Sequence, residues 1–320
     1  MKESVNKTFN QFKIHTQYSI CEGAIKIDQL KDFCKKNKIK SLGLSDTYNL
    51  SGALEFAENL SSIGTQPIIG TQILFKHKEF IGLIPLIAKN YNGYKNIIKL
   101  SSKSYLENSE ITSPHCELDY LIDNSDGIIV LTGSIKCLFG ELFNKGLPNE
   151  IEKILIKLKK KFEGNIYIEI QRHNDLNEKD FEKYNLKISK KLELPIIASN
   201  EIYYLNQDMY EAHDALMCIR EKTYVNDVNR TKLTDQHYFK SSDDMIKLFK
   251  DLPEALENNF NLPFRCSFKP SSSKPILPNI SSSDKDANEM LKQLSKEGLK
   301  DKFINVFKQD FVKLENEEKY

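Results

Sequence analysis

The chain lacks several features that would each assign it to a particular class of protein. Its 320 residues include no tryptophan, and its six cysteines form no CxxC pair or zinc-ribbon spacing. We therefore expect reduced thiols and a cytoplasmic location. No run of about 18 apolar residues is present, so we expect no membrane-spanning helix. Residues 1–11 are polar and lack the apolar segment of a secretory signal.

The chain as a whole also lacks the excess of positive charge that is typical of nucleic-acid-binding proteins. Lysine and arginine total 46 and aspartate and glutamate total 45, which gives a formal net charge of +1. Hydrophobic and charged contents of 40% and 28% are typical of a globular protein. The lysine-rich run 157–161 is interpreted as a solvated helix face, with a weak contact to a DNA backbone as the alternative.

Short apolar runs alternate with amphipathic stretches from residue 12 to residue 219. The predicted strands are 12–15, 41–45, 67–75, 80–88, 127–132, 166–170 and 195–199. This alternation predicts parallel strands joined by crossover helices, and six or seven such units favour a closed barrel. Because the chemistry of such barrels lies at the carboxyl ends of their strands, we expect His15, Asp46, His173 and Asn200–Glu201 to lie together.

The pattern changes near residue 265. Proline and serine dominate residues 269–283, which we interpret as a linker between a domain at 1–268 and a helical region at 284–320. The apolar positions from Met290 to Leu314 would need a partner surface. The chain stops at Tyr320 in a charged run, and we expect a longer protein to continue beyond it.

A series of short motifs occurs in a fixed order along the chain. They are HTQYS at 15–19, SDTYNL at 45–50, GTQ at 70–72, AKNYNGYKN at 88–96, GIIVLTG at 127–133, IEIQRH at 168–173, ASNEIYYL at 198–205, AHDAL at 212–216 and KSSDDM at 240–245. The series resembles the N-terminal PHP (polymerase and histidinol phosphatase) region of bacterial DNA polymerase III alpha subunits. The resemblance implies an α/β fold, a distorted (β/α)7-type PHP barrel with a C-terminal helical extension.

The resemblance also implies a place in DNA replication. Members of the family are DNA-directed DNA polymerases, nucleotidyltransferases that use Mg²⁺ and carry their catalytic carboxylates on a downstream palm domain. We therefore expect no catalytic residue in this chain. The implied partners are the downstream polymerase domains and a proofreading exonuclease subunit, with DNA and the sliding clamp reached through other regions. A structural and exonuclease-docking role follows from this comparison.

The family resemblance further predicts a degenerate metal site. Active PHP sites hold two or three divalent metals with about nine His, Asp, Glu or Cys ligands. By the resemblance, His15, Asp46 and His173 are retained and Glu201 is a conservative replacement. The substituted pocket positions are Lys13, Thr47, Gln72, Leu83 and Tyr203. Since a lysine repels a cation and an amide binds transition metals poorly, we expect no metal or other cofactor bound to this chain.

Several alternatives remain open at this point. Lys13 could supply the missing charge by pairing with Asp46 or Glu201 in a buried polar cluster. A single ion could instead be held by His15, Asp46 and His173. The chain could also be a stand-alone PHP metal-dependent phosphoesterase, a 3′–5′ exonuclease, or a binding module without chemistry.

We expect the remaining histidines to have no functional role. We expect His213 and Asp214 to cap a helix or pair at the surface. We expect the other three, His77, His115 and His237, to be surface residues.

Overall fold

The computed structural model describes residues 7–108, 113–275 and 287–306. Part of the predicted linker and the end of the predicted apolar stripe lie outside these residues. The chain divides into two compact units, residues 1–271 and 272–320, and each is described by itself.

Strands and helices alternate along most of the first unit. The strands are β1 (Gln11–Ile14), β2 (Ser41–Leu44), β3 (Asp46–Thr47), β4 (Gln66–Ile68), β5 (Gly70–His77), β6 (Phe80–Ala88), β7 (His115–Glu117), β8 (Ile128–Leu131), β9 (Ile166–Ile170), β10 (Ile196–Ala198) and β11 (Glu201–Ile202). The helices are α1 (Ile27–Asn37), α2 (Ala53–Ser61), α3 (Tyr91–Leu106), α4 (Leu118–Asp123), α5 (Leu138–Asn144), α6 (Pro148–Phe162), α7 (Glu178–Leu192), α8 (Tyr210–Glu221), α9 (Ser242–Leu248) and α10 (Pro253–Asn261).

The strands form two sheets, and at three points the chain passes directly from a strand of one sheet into a strand of the other. One sheet has the order β11-β1-β2-β4, and the other has the order β10-β9-β8-β6-β5-β3 with β7 beside β5. The chain passes from β2 to β3 at Ser45, from β4 to β5 at Ile69 and from β10 to β11 at Ser199–Asn200. When each of these three strand pairs is treated as one segment, seven segments follow one another in cyclic order. They are β10/β11, β1, β2/β3, β4/β5, β6, β8 and β9. The predicted α/β architecture is confirmed, but the hydrogen bonds form two sheets and not a closed barrel.

Strand β6 departs from the predicted parallel arrangement. It runs antiparallel to both β5 and β8. The reason is local, since only Lys78 and Glu79 separate β5 from β6, and Lys78 adopts a left-handed conformation with φ of 57°. A connection this short makes a hairpin, whereas a parallel pair needs a crossover of a dozen or more residues.

The space between the sheets is filled by side chains from most of the seven segments. Its buried apolar cluster consists of Phe12, Ile68, Ile87, Ile129, Leu131, Tyr167, Ile197, Leu262 and Cys266. In β1 the register with β2 shifts between Gln11 and Ile14. Such an irregularity re-aims side chains, and the neighbouring residues Phe12 and Lys13 are both buried.

The second unit contains α11 (Ala287–Asp301), followed by a π-helical turn at Lys302–Val306. The helical extension that the sequence predicted is therefore present. Its Leu291, Leu294 and Leu299 are exposed.

Within the described ranges, no helix is both long and apolar enough to span a bilayer.

The AKNYNGYKN motif has a structural explanation at the start of α3. The Asn90 side chain accepts a hydrogen bond from the Gly93 amide at 3.0 Å, which satisfies a backbone donor that the helix cannot. A Cβ atom on Gly93 would lie 1.8 Å from the Gly127 carbonyl oxygen, so a glycine is needed there. The motif therefore fixes the joint between α3 and β8.

We expect Asn90→Ala to lower the free energy of unfolding by about 1 kcal/mol, because the first turn of α3 loses its cap. Urea unfolding followed by far-UV circular dichroism measures the change. Asn90→Ser is the matched control, since a serine hydroxyl also caps. Equal losses in both variants would show that the cap is not the cause.

Candidate functional site

Lys13 lies buried between two glutamates at the end of the strands. Its Nζ atom is 3.3 Å from Glu201 Oε2 and 3.4 Å from Glu169 Oε1. Lys13 and Glu201 are direct register partners of β1 and β11, while Glu169 belongs to β9 in the other sheet. The ammonium group therefore bridges the two sheets by charge, although it is in hydrogen-bond geometry with neither carboxylate.

The pKa shifts of Lys13 and Glu201 both favour the charged form. Burial works to lower the pKa of Lys13, but the charges of Glu169 and Glu201 outweigh it and hold the pKa above its ordinary value. Burial works to raise the pKa of Glu201, but Lys13 and His15 hold it well below its usual range. Each ion thus depends on its partners to remain charged out of water.

His15 is held by contacts at both ring nitrogens. Its Nε2 atom lies 3.1 Å from Glu201 Oε1, and its Nδ1 atom lies 3.3 Å from Thr47 Oγ1. The ring stacks on Tyr203, with 4.2 Å between centroids and 16° between planes. Tyr203, one of the substituted positions, therefore covers one face of the imidazole.

Asp46 is satisfied by the turn that follows β1. Its Oδ1 atom accepts hydrogen bonds from the Thr16 amide and the Ser19 hydroxyl, both at 2.7 Å, and its Oδ2 atom accepts from the Thr16 hydroxyl at 2.8 Å. Burial raises the pKa of Asp46, and these hydrogen bonds oppose the increase. Of the two partners considered for Lys13, the structure has Glu201 and not Asp46.

Glu169 is a member of the pocket that sequence reasoning missed. Besides facing Lys13, its carboxylate accepts hydrogen bonds from the Gly133 amide at 3.0 Å and from Gln171 Nε2 at 2.6 Å. The available signal was a single acidic residue inside the otherwise apolar strand Ile166–Ile170, where a buried charge requires a partner.

Two other substituted positions, Gln72 and Thr47, place neutral groups beside His15. Gln72 Nε2 donates to Glu201 Oε1 at 2.5 Å and lies 3.1 Å from His15 Nε2. The Thr47 hydroxyl donates to Glu22. Leu83 faces Leu74 in the β5–β6 hairpin. We call Lys13, His15, Asp46, Gln72, Glu169 and Glu201 the Lys13 pocket.

His173 does not join this pocket through its side chain. Its Nε2 atom lies 2.9 Å from Asn200 Oδ1 and 3.2 Å from the Glu201 amide nitrogen. Its ring stacks on His237 with 4.1 Å between centroids. Burial, together with His237, holds the pKa of His173 well below its ordinary value. Among the described residues, no hydrogen bond or ion pair joins this ring to His15 or Asp46.

Three residues predicted at the surface or at a helix cap are instead buried. His237 is 2% exposed, because it packs on His173 from a distant part of the chain. His213 Nε2 lies 2.7 Å from the Glu22 carbonyl oxygen. Asp214 accepts two hydrogen bonds of 2.6 Å from Arg230. Long-range packing, which local polarity does not reveal, explains all three corrections.

The Lys13 pocket does not fit the metal centre that the PHP resemblance implies. Metal ligands must present lone pairs to one point, but the Lys13 ammonium faces both glutamates there. The Gln72 amide nitrogen also points at Glu201 and His15, the groups that would otherwise act as ligands. The arrangement is a buried polar core that contains its own cation.

Comparison with solved structures gives distant similarities. An amidohydrolase from Chromobacterium violaceum with bound sulfate and no metal is 10% identical, with a TM-score of 0.40, covering 65% of this chain and 96% of that chain. A two-domain protein from Bacteroides vulgatus, described as containing a predicted PHP-like metal-dependent phosphoesterase, is 13% identical with a TM-score of 0.41. That match covers 74% of this chain and 62% of the other.

Comparison with curated sequences gives nearer relatives. DNA polymerase III subunit alpha of Haemophilus influenzae is 33% identical over 317 residues, and that of Caulobacter vibrioides is 32% identical over 314 residues. These matches cover 98% and 94% of this chain, but the chain spans only 27% of the length of each relative. The PHP domain family model matches residues 11–173, which is just over half of the chain. The chain therefore belongs to the PHP domain family, and its curated relatives are DNA polymerase III alpha subunits.

Proposed function

We propose that this chain is the PHP portion of a DNA polymerase III alpha subunit and acts there as a structural and docking module without metal chemistry. The observation that carries the proposal is the burial of the Lys13 ammonium between Glu169 and Glu201. A lysine in this position supplies the positive charge that the acidic residues need, and it does so without a metal.

The rest of the proposal concerns the longer protein. The full subunit would extend primers during DNA replication in the cytoplasm, using Mg²⁺ and catalytic carboxylates outside this chain. Residues 1–268 would support the polymerase domains and dock a proofreading exonuclease subunit. Residues 269–283 would act as a linker to a helical start at 284–320. The partial coverage of the curated relatives supports this assignment.

The structural part of the proposal predicts a large effect of Lys13→Met. The variant leaves Glu169 and Glu201 buried without a cation, and we expect it to lose about 3–5 kcal/mol of unfolding free energy in urea. Adding Glu169→Gln and Glu201→Gln to the same chain should recover much of this loss, because no charge then remains to be neutralised.

Lys183→Met provides the matched surface control. Lys183 also pairs with a carboxylate, Asp180, but both side chains are exposed, so we expect a loss below about 1 kcal/mol. If Lys13→Met were no more destabilising than Lys183→Met, or if the triple variant were as unstable as Lys13→Met, the ammonium would not have the proposed role.

Restoring metal ligands should increase the affinity of the Lys13 pocket for metal ions. We expect Lys13→His with Gln72→Glu to bind more Mn²⁺ or Zn²⁺ than the parent chain, because it removes a cation and adds two ligand groups. Metal content after dialysis, measured by atomic emission, tests this. Lys13→His with Gln72→Leu is the control without the new carboxylate. A folded double variant with no additional metal would contradict the assignment of these positions to the ancestral site.

The docking role is tested together with the competing enzymatic role. We expect the chain to co-elute with the proofreading exonuclease subunit of its own organism in size-exclusion chromatography. We expect no chelator-sensitive hydrolysis of a phosphate ester or of a DNA 3′ end when Mn²⁺ or Zn²⁺ is supplied. Chelator-sensitive hydrolysis that Lys13 variants alter would favour the phosphoesterase or exonuclease alternative, and absence of co-elution would remove the docking role.

A further inference from the structure

A second group of buried polar side chains lies outside the Lys13 pocket. His173 and Asp175 follow β9, and His237 precedes α9. One potential ligand atom from each of the three residues lies within 4.8 Å of the others. The side chains are 0%, 6% and 3% exposed, respectively. We call these three residues the His173 cluster.

Each member of the His173 cluster has a polar atom without a hydrogen-bond partner in the described part of the chain. These atoms are His173 Nδ1, Asp175 Oδ2 and His237 Nε2. Since buried polar atoms are nearly always paired, three such atoms in one place call for an explanation, and an unseen ion or water is the usual one. Because the three residues each bring a ligand atom within 4.8 Å of the others, a single shared partner is favoured.

The far ring nitrogen of each imidazole is held by a neighbouring group. His237 Nδ1 lies 3.2 Å from the Glu201 carbonyl oxygen, which can only accept, so Nδ1 carries a proton. His173 Nε2 accepts a hydrogen bond from the Glu201 amide at 3.2 Å and lies 2.9 Å from Asn200 Oδ1, so an ion at His173 Nδ1 would displace the proton that this tautomer carries there. Asn200 is oriented by its Nδ2 atom, which donates to the Tyr238 carbonyl oxygen at 3.0 Å.

Two longer contacts border this point. His237 Nε2 lies 3.7 Å from Asp175 Oδ2, and His173 Nδ1 lies 3.7 Å from Glu178 Oε1. These separations are too long for hydrogen bonds. They are close to the distance of about 3.3 Å between two ligands of a tetrahedral metal with bonds of about 2.0–2.1 Å.

We propose that the His173 cluster binds one divalent transition-metal ion of the zinc class through His173 Nδ1, Asp175 Oδ2 and His237 Nε2. Glu178 is outside this group, because its carboxylate accepts hydrogen bonds from the His173 and Asn174 amides. Two imidazoles with carboxylates suit Zn²⁺ or Co²⁺, whereas Mg²⁺ and Ca²⁺ prefer sites made wholly of oxygen ligands.

The surroundings provide the support that metal ligands need. The Glu201 carbonyl and Asn200 side chain hold the non-ligating ring nitrogens, which is the usual way in which a metal-binding histidine is oriented. Lys136 pairs with Asp175 Oδ1 at 2.7 Å, so the other carboxylate oxygen is left for the ion.

Binding requires one change in the imidazole pair. The His173 and His237 rings are nearly parallel, with 4° between their planes, so their lone pairs run side by side. An ion lies near the plane of each ring that binds it, and the two rings must therefore tilt toward each other. A bound ion should thus open the stack.

The proposal is tested by titrating the purified chain with Co²⁺ alone and with Zn²⁺ alone. We expect one equivalent of Co²⁺ to bind with the visible absorption of a tetrahedral site, and Zn²⁺ to displace it. Asp175→Asn and His237→Gln should each weaken binding by more than about 100-fold, because the loss of an outer partner of a ligand alone costs about 10–100-fold. His115→Gln, a half-buried histidine elsewhere, should leave affinity unchanged.

Far-UV circular dichroism establishes which variants remain folded, and the isosteric Asp175→Asn keeps the test decisive if His237→Gln does not fold. Absence of stoichiometric binding would overturn the proposal. Equal affinity in all variants would identify only an adventitious surface ion and would also overturn it. Binding that His15→Gln removes and Asp175→Asn leaves intact would place the ion in the Lys13 pocket instead.

Discussion

The buried ion pairs of Lys13 are the constraint on which the joint between the two sheets depends. Lys13 and Glu201 belong to one sheet and Glu169 to the other, and their charges meet where hydrogen bonds between the sheets are interrupted. At an effective dielectric constant of about 20, each contact contributes about 5 kcal/mol of attraction. Burying each ion costs several kcal/mol, so the group is roughly balanced as a whole but cannot lose a single member.

The three points at which the chain changes sheet also position the pocket residues. The chain changes sheet at Ser45, Ile69 and Ser199–Asn200, and each change immediately precedes a motif that the family resemblance assigns to the metal site. A Cβ atom on Gly70 would lie 2.5 Å from the Leu86 carbonyl oxygen, which explains the glycine just after the passage from β4 to β5. The glycine of the GTQ motif is therefore required by backbone geometry, independently of any metal.

The sequence predicted most of the architecture but not the partners inside it. Apolar runs such as 127–132 and 166–170 identify strands because burial on both faces leaves a continuous apolar signal. Which residue faces Lys13 depends on sheet register and on the turn at Thr16–Ser19, which surrounds Asp46 with donors. Neither property can be read from local composition. His237 is buried for the same kind of reason, since only the tertiary fold brings it to His173.

The two polar groups at this end of the fold differ in how their negative charge is compensated. The Lys13 pocket contains its own cation, placed between two carboxylates by the bulged β1 strand. The His173 cluster has Lys136 on one oxygen of Asp175, while its other oxygen and one nitrogen of each imidazole have no hydrogen-bond partner among the described residues. Glu201 connects the two groups, because its carboxylate meets Lys13 and its carbonyl oxygen fixes the tautomer of His237. The ion proposed for the His173 cluster is therefore separate from the cation that Lys13 supplies to the other pocket.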